Sequence, residues 1–271
     1  MNPDDAVDKS AFRLPPSTFH PVLFVGAGPG DPELITVKGS KALAAADLVV
    51  YAGSLVPEAL LSWTRPGTPA VNSASMALEE IVAAMARAHR SGQRVVRLHT
   101  GDPSLYGAIF EQMAELEKQA IPYRVIPGVT AAFAAAAALG IEYTLPEVAQ
   151  TLILTRAAGR TPVPASEDLA GLAAHRTSMA IYLSLGQIET VAATLAGAYG
   201  ANAPCAVVYQ ASQPGEKVIR TRLNELVAKV RSEGIARQAL IIVGRVLEFA
   251  PRDLEATSKL YDRDFEHGYR K

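Results

Sequence analysis

The stretch Arg97–Glu111, RLHTGDPSLYGAIFE, decides how the chain is read. Arg94–Leu98, which runs into it, is short, rich in β-branched residues and ends abruptly, as a strand does at the edge of a sheet. His99-Thr100-Gly101-Asp102-Pro103-Ser104 follows as a polar bend. From Leu105 the residues Leu105, Ile109, Gln112-Met113 and Leu116 recur at helical spacing, which predicts a helix beginning at Leu105. A strand that stops in Thr-Gly-Asp-Pro and restarts as a helix puts main-chain groups at the carboxyl edge of a sheet, where α/β proteins bind small molecules. Gly-Asp-Pro alone fits an ordinary strand–helix turn equally well, and the flanking segments must decide.

Upstream, Val22–Val25 is wholly apolar, as a central parallel strand is. It runs into Gly26-Ala27-Gly28-Pro29-Gly30-Asp31-Pro32, with Asp31 as N-cap and Pro32 at the first position of a helix expected through about Ala45. A dinucleotide fingerprint fails here. Position 31 holds an acid where the third glycine belongs, and the second strand, Leu48–Tyr51, ends in Ala52-Gly53-Ser54 with no acid for a ribose. A short helix over Val56–Trp63, a turn-rich Arg65–Pro69, a helix over Ala77–Arg90 and a strand over Tyr123–Ile126 complete this half, with room for one further strand before 77. Thr130 caps an alanine helix, Ala131–Leu139, ended by Gly140; its small side chains suit close helix packing or close approach of a ligand.

Beyond Pro146 the pattern changes. Strands are expected over Gln150–Thr155, Met179–Leu183, Cys205–Tyr209, Lys217–Arg220 and Ala239–Val243, with helices over Ser166–Leu172, Gln187–Ala198 and Arg222–Arg231. Gln213-Pro214-Gly215 makes an antiparallel hairpin. The expected fold class is α/β in two domains, a mostly parallel N-terminal sheet over 21–127 and a mixed C-terminal sheet over 128–250. Residues 1–20, which lack a basic region and apolar core of a secretory signal, and 251–271 are expected to be tails.

Composition narrows the function. At 271 residues, 49% hydrophobic and 20% charged with net charge −1, this is a globular chain without the basic excess of a nucleic-acid binder. No run approaches the length of a membrane span, so no membrane partner is expected and the cytoplasm is the default location. Cys205, the one cysteine, lies in an apolar run and reads as core. His20, His89, His99, His175 and His267 show no metal-ligand spacing, so no metal site is expected.

Five ordered motifs, VGAGPGDPELIT (25–36), RLHTGDPSLYG (97–107), IPGVTA (126–131), YLSLG (182–186) and IIVGRV (241–246), make the chain resemble the tetrapyrrole (corrin/porphyrin) methylases. The resemblance covers about 22–250. YAGSLVPEALL (51–61) and LHTGDPSLYGAI (98–109) are most similar to the branch that methylates precorrin-4 at C11 in cobalamin synthesis. Uroporphyrinogen-methylating relatives usually have Gly-Gly-Asp where this chain has Thr100-Gly101-Asp102, and an arginine where it has Ala108. The resemblance implies S-adenosyl-L-methionine as methyl donor, leaving S-adenosyl-L-homocysteine and held folded in a cleft between the domains. It also implies a tetrapyrrole substrate, no nucleic acid, and a homodimer. Carried over by position, the cofactor-binding residues are Pro29, Thr100, Gly101, Asp102, Leu105, Thr130, Ala131, Leu183, Ala211 and Gly244.

Methyl transfer from a sulfonium needs mainly positioning of donor and acceptor, which explains why no nucleophile–base triad stands out. Oxygen atoms suit the sulfonium, and Asp102 is the expected contact. Carbon methylation must also release a proton, and His99, Tyr106 and Glu111 are the groups of the bend that can accept it or hold the ring; a capping histidine, a packed tyrosine and a helix-face glutamate are the alternatives. A polycarboxylate ring favours arginines, and Arg65, Arg156, Arg160 and Arg237 lie on expected loops. A same-fold RNA or protein methylase, and a binder without turnover, are the competing readings.

Overall fold

A computed structural model of the chain describes residues 20–250 and Gly268. The expected tails therefore lie outside the described residues, save His20 and Gly268. The chain divides into two units between Thr130 and Ala131.

The first unit is a five-stranded sheet in the order β3-β2-β4-β1-β5, parallel throughout, with β1 Val22–Gly26, β2 Leu48–Tyr51, β3 Ala70–Asn72, β4 Val95–His99 and β5 Tyr123–Ile126. β1 and β2 are apolar on both sides, and helices pack on both faces of the sheet. α1 (Val37–Ala45) and the 3-10 turn Glu58–Trp63 pack on Val25, Val49, Val96 and Leu98. On the other face, α2 (Leu78–Arg90) and α3 (Ile109–Lys118) pack on Val22, Phe24, Val50 and Val95. After β5 the chain leaves for the second unit instead of returning as a helix beside α1. That topology leaves a cavity of about 540 Å³ against Leu23, Ala42 and Val96, which touches none of the expected site residues.

The second unit is a mixed sheet in the order β6-β7-β10-β8-β9, formed by β6 Leu152–Arg156, β7 Ser178–Tyr182, β8 Pro204–Tyr209, β9 Lys217–Arg222 and β10 Ala239–Val243. β6 and β7 run parallel and the other pairs antiparallel. α5 (Leu169–Ala173), α6 (Ile188–Tyr199) and α7 (Leu223–Ser232) bury one face around Ile181, Val207 and Ile241. α4 (Ala131–Leu139) covers the other, where Ala132, Ala135 and Ala136 meet Ala180 and Ala206 in one cluster. Alanine on alanine is what lets the helix lie close to the sheet, so most of the alanine run is packing. β9 is an outer strand carrying Lys217, Arg220 and Arg222, and Arg220 reaches back to cap the Leu139 carbonyl at the end of α4.

The α/β class and the parallel and mixed sheets are as expected, but several boundaries are not. The helix expected from Pro32 is two pieces: Asp31 caps only a 3-10 turn, Pro32–Leu34, and Thr36 starts α1 by accepting from the Gly39 N–H at 3.1 Å. Ser166–Leu172 is likewise divided, because Asp168 accepts from the Ala170 and Gly171 N–H groups and restarts the chain as α5. The helix expected from Leu105 begins at Ile109, since Tyr106 and Ala108 adopt left-handed backbone that no α-helix accommodates. β3, only three residues long, pairs outside β2.

Ile241 is fully buried at the centre of the second sheet, whereas Val218 on β9 is 40% exposed. Ile241→Ala is expected to cost about 2–5 kcal/mol in urea unfolding, and Val218→Ala less than about 1 kcal/mol.

Candidate functional site

In the first unit the loops after β1, β4 and β5 touch main chain to main chain. Gly28 and Gly101 form an isolated antiparallel bridge, with the Gly101 N–H donating to the Gly28 carbonyl at 2.8 Å and the Gly28 N–H to the Gly101 carbonyl at 3.2 Å. A Cβ on Gly128 would stand 2.2 Å from the Gly101 carbonyl oxygen and 2.8 Å from the Gly26 Cα; one on Gly26 would stand 2.6 Å from both Gly101 O and Gly128 Cα. These distances leave no room for any side chain. Pro29 sits buried beside the bridge, between Gly28 and Gly30, both at positive φ.

Asp102 joins two of these loops. One carboxylate oxygen accepts from the Ser104 N–H at 2.8 Å and from its hydroxyl, and the other accepts from the Gly128 N–H at 2.9 Å. Burial raises its pKa, but the hydrogen bonds from Ser104 and Gly128 outweigh this and hold the carboxyl below its usual range. Asp102 thus clamps the bend itself. Thr100, half-buried, and Leu105 flank it.

The bend ends in a tight turn. A Cβ on Gly107 would stand 2.1 Å from the Pro103 carbonyl, and Tyr106 and Ala108 on either side have φ of 57° and 48°. Left-handed conformation costs an L-residue roughly 1–2 kcal/mol, and such strain gathers at functional sites. Tyr106, Phe110 and Glu111 emerge from this turn exposed. His99 does not. It is buried, stacked on Phe24 at 5.9 Å, and burial followed by the charge of Arg97 pulls its pKa down to about 3.

Beneath the turn lies a network that sequence reasoning missed. Arg97, 4% exposed, donates from Nε to Gln112 Oε1 at 3.0 Å and from Nη1 to Ser73 Oγ at 2.9 Å and the Val50 carbonyl at 3.3 Å. Gln112 Nε2 then donates to the Ala108 carbonyl at 3.1 Å. The available signal was an arginine at an inward position of a strand buried on both faces.

In the second unit the remaining candidates also sit at strained or closely packed strand ends. Leu183, directly after β7, has φ of 53° and is 66% exposed. Buried Ala211 lies between Gln210 and Ser212, both left-handed. Gly244, at φ 146°, would bring a Cβ to 3.1 Å from the Ser178 Cα. At the start of α4, the Ala132 N–H donates to the Tyr182 hydroxyl at 2.9 Å and the Ala132 carbonyl accepts from Tyr143 at 2.8 Å, which fixes the first turn next to Ala131 and buried Thr130. Ser184 Oγ accepts from the Ala157 N–H at 2.8 Å and donates to the Tyr182 carbonyl at 2.6 Å, bracing the Leu183 turn.

Two of the four candidate arginines are engaged elsewhere. Arg65 pairs with Asp47 at 2.6 Å and caps the Ala46 carbonyl, and Arg156 binds the carbonyls of Ala157, Thr161 and Pro162 in its own loop. Arg160 and Arg237 are exposed. Burial raises the Cys205 thiol to about 12, which keeps it a core thiol. Among the described residues, no group of His, Cys, Asp and Glu could hold a metal ion, and no helix is long and apolar enough to cross a membrane.

Glycine-lined loops at the carboxyl edge of a parallel sheet, in a chain whose other unit is a mixed sheet under an alanine helix, define an α/β small-molecule-binding protein. The chain belongs to the tetrapyrrole (corrin/porphyrin) methylases, whose family model matches residues 21–227. It is 54% identical over 251 residues to a cobalt-precorrin-4 C(11)-methyltransferase of Methanocaldococcus jannaschii, covering 92% of this chain and 96% of that one. It is 49% identical over 249 residues to a precorrin-4 C(11)-methyltransferase of Pseudomonas aeruginosa, covering 92% and 98%. Among solved structures, a cobalt precorrin-4 methyltransferase superposes with a TM-score of 0.81 at 47% identity, covering 83% and 95%. A uroporphyrin-III C-methyltransferase of Thermus thermophilus, in complex with S-adenosylhomocysteine, gives 0.70 at 30% identity, covering 88% and 98%.

Two outcomes test this geometry. Gly128→Ala is expected to weaken S-adenosylhomocysteine binding at least about tenfold by calorimetry, because main chain must move to admit the methyl, while Gly186→Ala, with nothing within 4 Å, leaves it unchanged. A depressed carboxyl stabilises above its unfolded pKa of about 3.9, and that contribution is lost as pH falls through the folded value. Asp102→Asn should therefore flatten the acid limb of the stability–pH curve below about pH 4.

Proposed function

We propose that the chain transfers a methyl group from S-adenosylmethionine to C11 of precorrin-4 in cobalamin synthesis, giving precorrin-5. The observation that carries this is its 49–54% identity, over 92% of its length, to C(11)-methyltransferases of precorrin-4 and its cobalt form. The cofactor fits the first unit because Gly26 and Gly128, where a Cβ would meet main chain, leave a loop surface made of peptide groups in place of side chains. We assign it to Pro29, Thr100, Gly101, Asp102 and Leu105 of the first unit with Thr130, and to Ala131, Leu183, Ala211 and Gly244 of the second. Asp102 serves by holding its own bend and the Gly128 loop together.

S-adenosylmethionine supplies an activated methyl, so the protein's share is alignment and removal of one proton from the ring. Glu111 is assigned the proton, since a carboxylate accepts directly whereas a phenol must first lose its own. Tyr106 is assigned to hold the ring. Neutral His99 supports the bend from below. Arg160 and Arg237 remain for the substrate carboxylates. The enzyme is proposed to act as a cytoplasmic homodimer.

Incubation with labelled S-adenosylmethionine and either metal-free or cobalt precorrin-4 tests the reading, with the new methyl located by NMR. One methyl at C11 of either ring is expected, and the ring that turns over names the branch. Bound cofactor with no transfer to either ring would overturn the function. Glu111→Gln is expected to lower kcat by about 10²-fold, and Tyr106→Phe to raise KM with kcat little changed.

A further inference from the structure

Arg97 is a cation buried in the first sheet with no acid opposite it: among the described residues its hydrogen bonds go to three neutral oxygens, of Gln112, Ser73 and Val50. A buried charge costs more than the leucine that would fill the same strand position. What a guanidinium adds is direction, because its fork fixes the partners it binds. Val50 belongs to β2, Ser73 follows β3 and itself donates to the Tyr51 carbonyl at 3.0 Å, and Gln112 lies in the first turn of α3. Arg97 therefore ties its own strand, β4, to β2, to the end of β3 and to the start of α3.

Gln112 is oriented by this fork. Its Oε1 is held by Arg97, so its Nε2 must point the other way, to the carbonyl of left-handed Ala108. Ala108 closes the Pro103–Gly107 turn from which Tyr106 emerges. Strained conformations persist only where surrounding contacts over-determine them. We propose that Arg97 and Gln112 form a latch that holds the Tyr106–Ala108 turn in its left-handed form, making Gln112 a positioning residue for the side chains that meet the substrate ring. The link to the ring rests on the function proposed above; the latch itself does not.

Gln112→Glu separates the two ends of the latch. The new carboxylate keeps Arg97 satisfied but cannot donate to the Ala108 carbonyl. Hydrogen exchange, measured without ligand, is expected to quicken roughly fivefold across Leu105–Ile109 at an unchanged or raised Tm, as loss of one hydrogen bond implies. Adding Ala108→Gly, which adopts left-handed backbone without strain, should return exchange toward the wild-type rate. Unchanged exchange in Gln112→Glu, or a double variant that exchanges as fast as the single one, overturns the latch. If Gln112→Glu does not fold, Gln112→Asn, an amide one carbon too short to bridge both partners, is read the same way. In the methyl-transfer assay the single variant should lose about fivefold in kcat/KM with S-adenosylhomocysteine affinity retained, and the double variant should recover it. A wild-type protein that transfers no methyl would defeat the functional reading while the exchange result still decides the latch.

Discussion

The first unit depends on main chain meeting main chain. Gly26, Gly28, Gly101 and Gly128 bring the ends of β1, β4 and β5 within contact distances that exclude even a methyl group. That contact makes a wall of peptide groups, whose positions are set by the sheet and not by rotamers. The carboxylate of Asp102 then closes the wall by binding across two loops. Preorganisation of this kind suits a reaction whose electrophile arrives activated and whose barrier falls mostly through alignment.

Much of this was legible in the sequence, for identifiable reasons. Strands apolar on both faces, such as Val22–Val25 and Ala239–Val243, announce a covered sheet whatever lies around them. The glycine loops were legible because no other residue tolerates such packing. What stayed hidden was decided by side chains reaching across the chain. Nothing near Leu105 says that a helix-compatible run will be delayed to Ile109; that follows from Gln112 reaching back to Ala108 and from Gly107 pressed on Pro103. That Asp102 also ties two loops together shows only once the Gly128 N–H is found beside it. That His99 is buried shows only once β4 is seen to be buried along its whole length.

Charge in this chain is spent largely on its own backbone. Arg65, Arg156 and Arg220 each bind carbonyl oxygens at element ends, as does Arg97 in the interior. These groups make the same point from different places: a cation on an expected loop is as readily a cap as a substrate ligand, and only the position of nearby carbonyls separates the two. The left-handed residues sort similarly. Tyr106, Ala108, Leu183, Gln210 and Ser212 fall in or beside the candidate segments, and Gln238 is bonded to Gln210, while Ala120, Glu147 and Arg176 lie in other connections.

The outer strand β9 has a consequence for the protein in solution. Among the described residues it has a neighbouring strand on one side only, and such an edge in a flat apolar strand would invite another sheet to add on. Lys217, Arg220 and Arg222 stand along it. Lys217 is paired with Glu233 and Arg222 with Glu248, and Arg220 binds the Leu139 carbonyl, so the edge carries bulky charged pairs rather than the apolar face that another sheet would need.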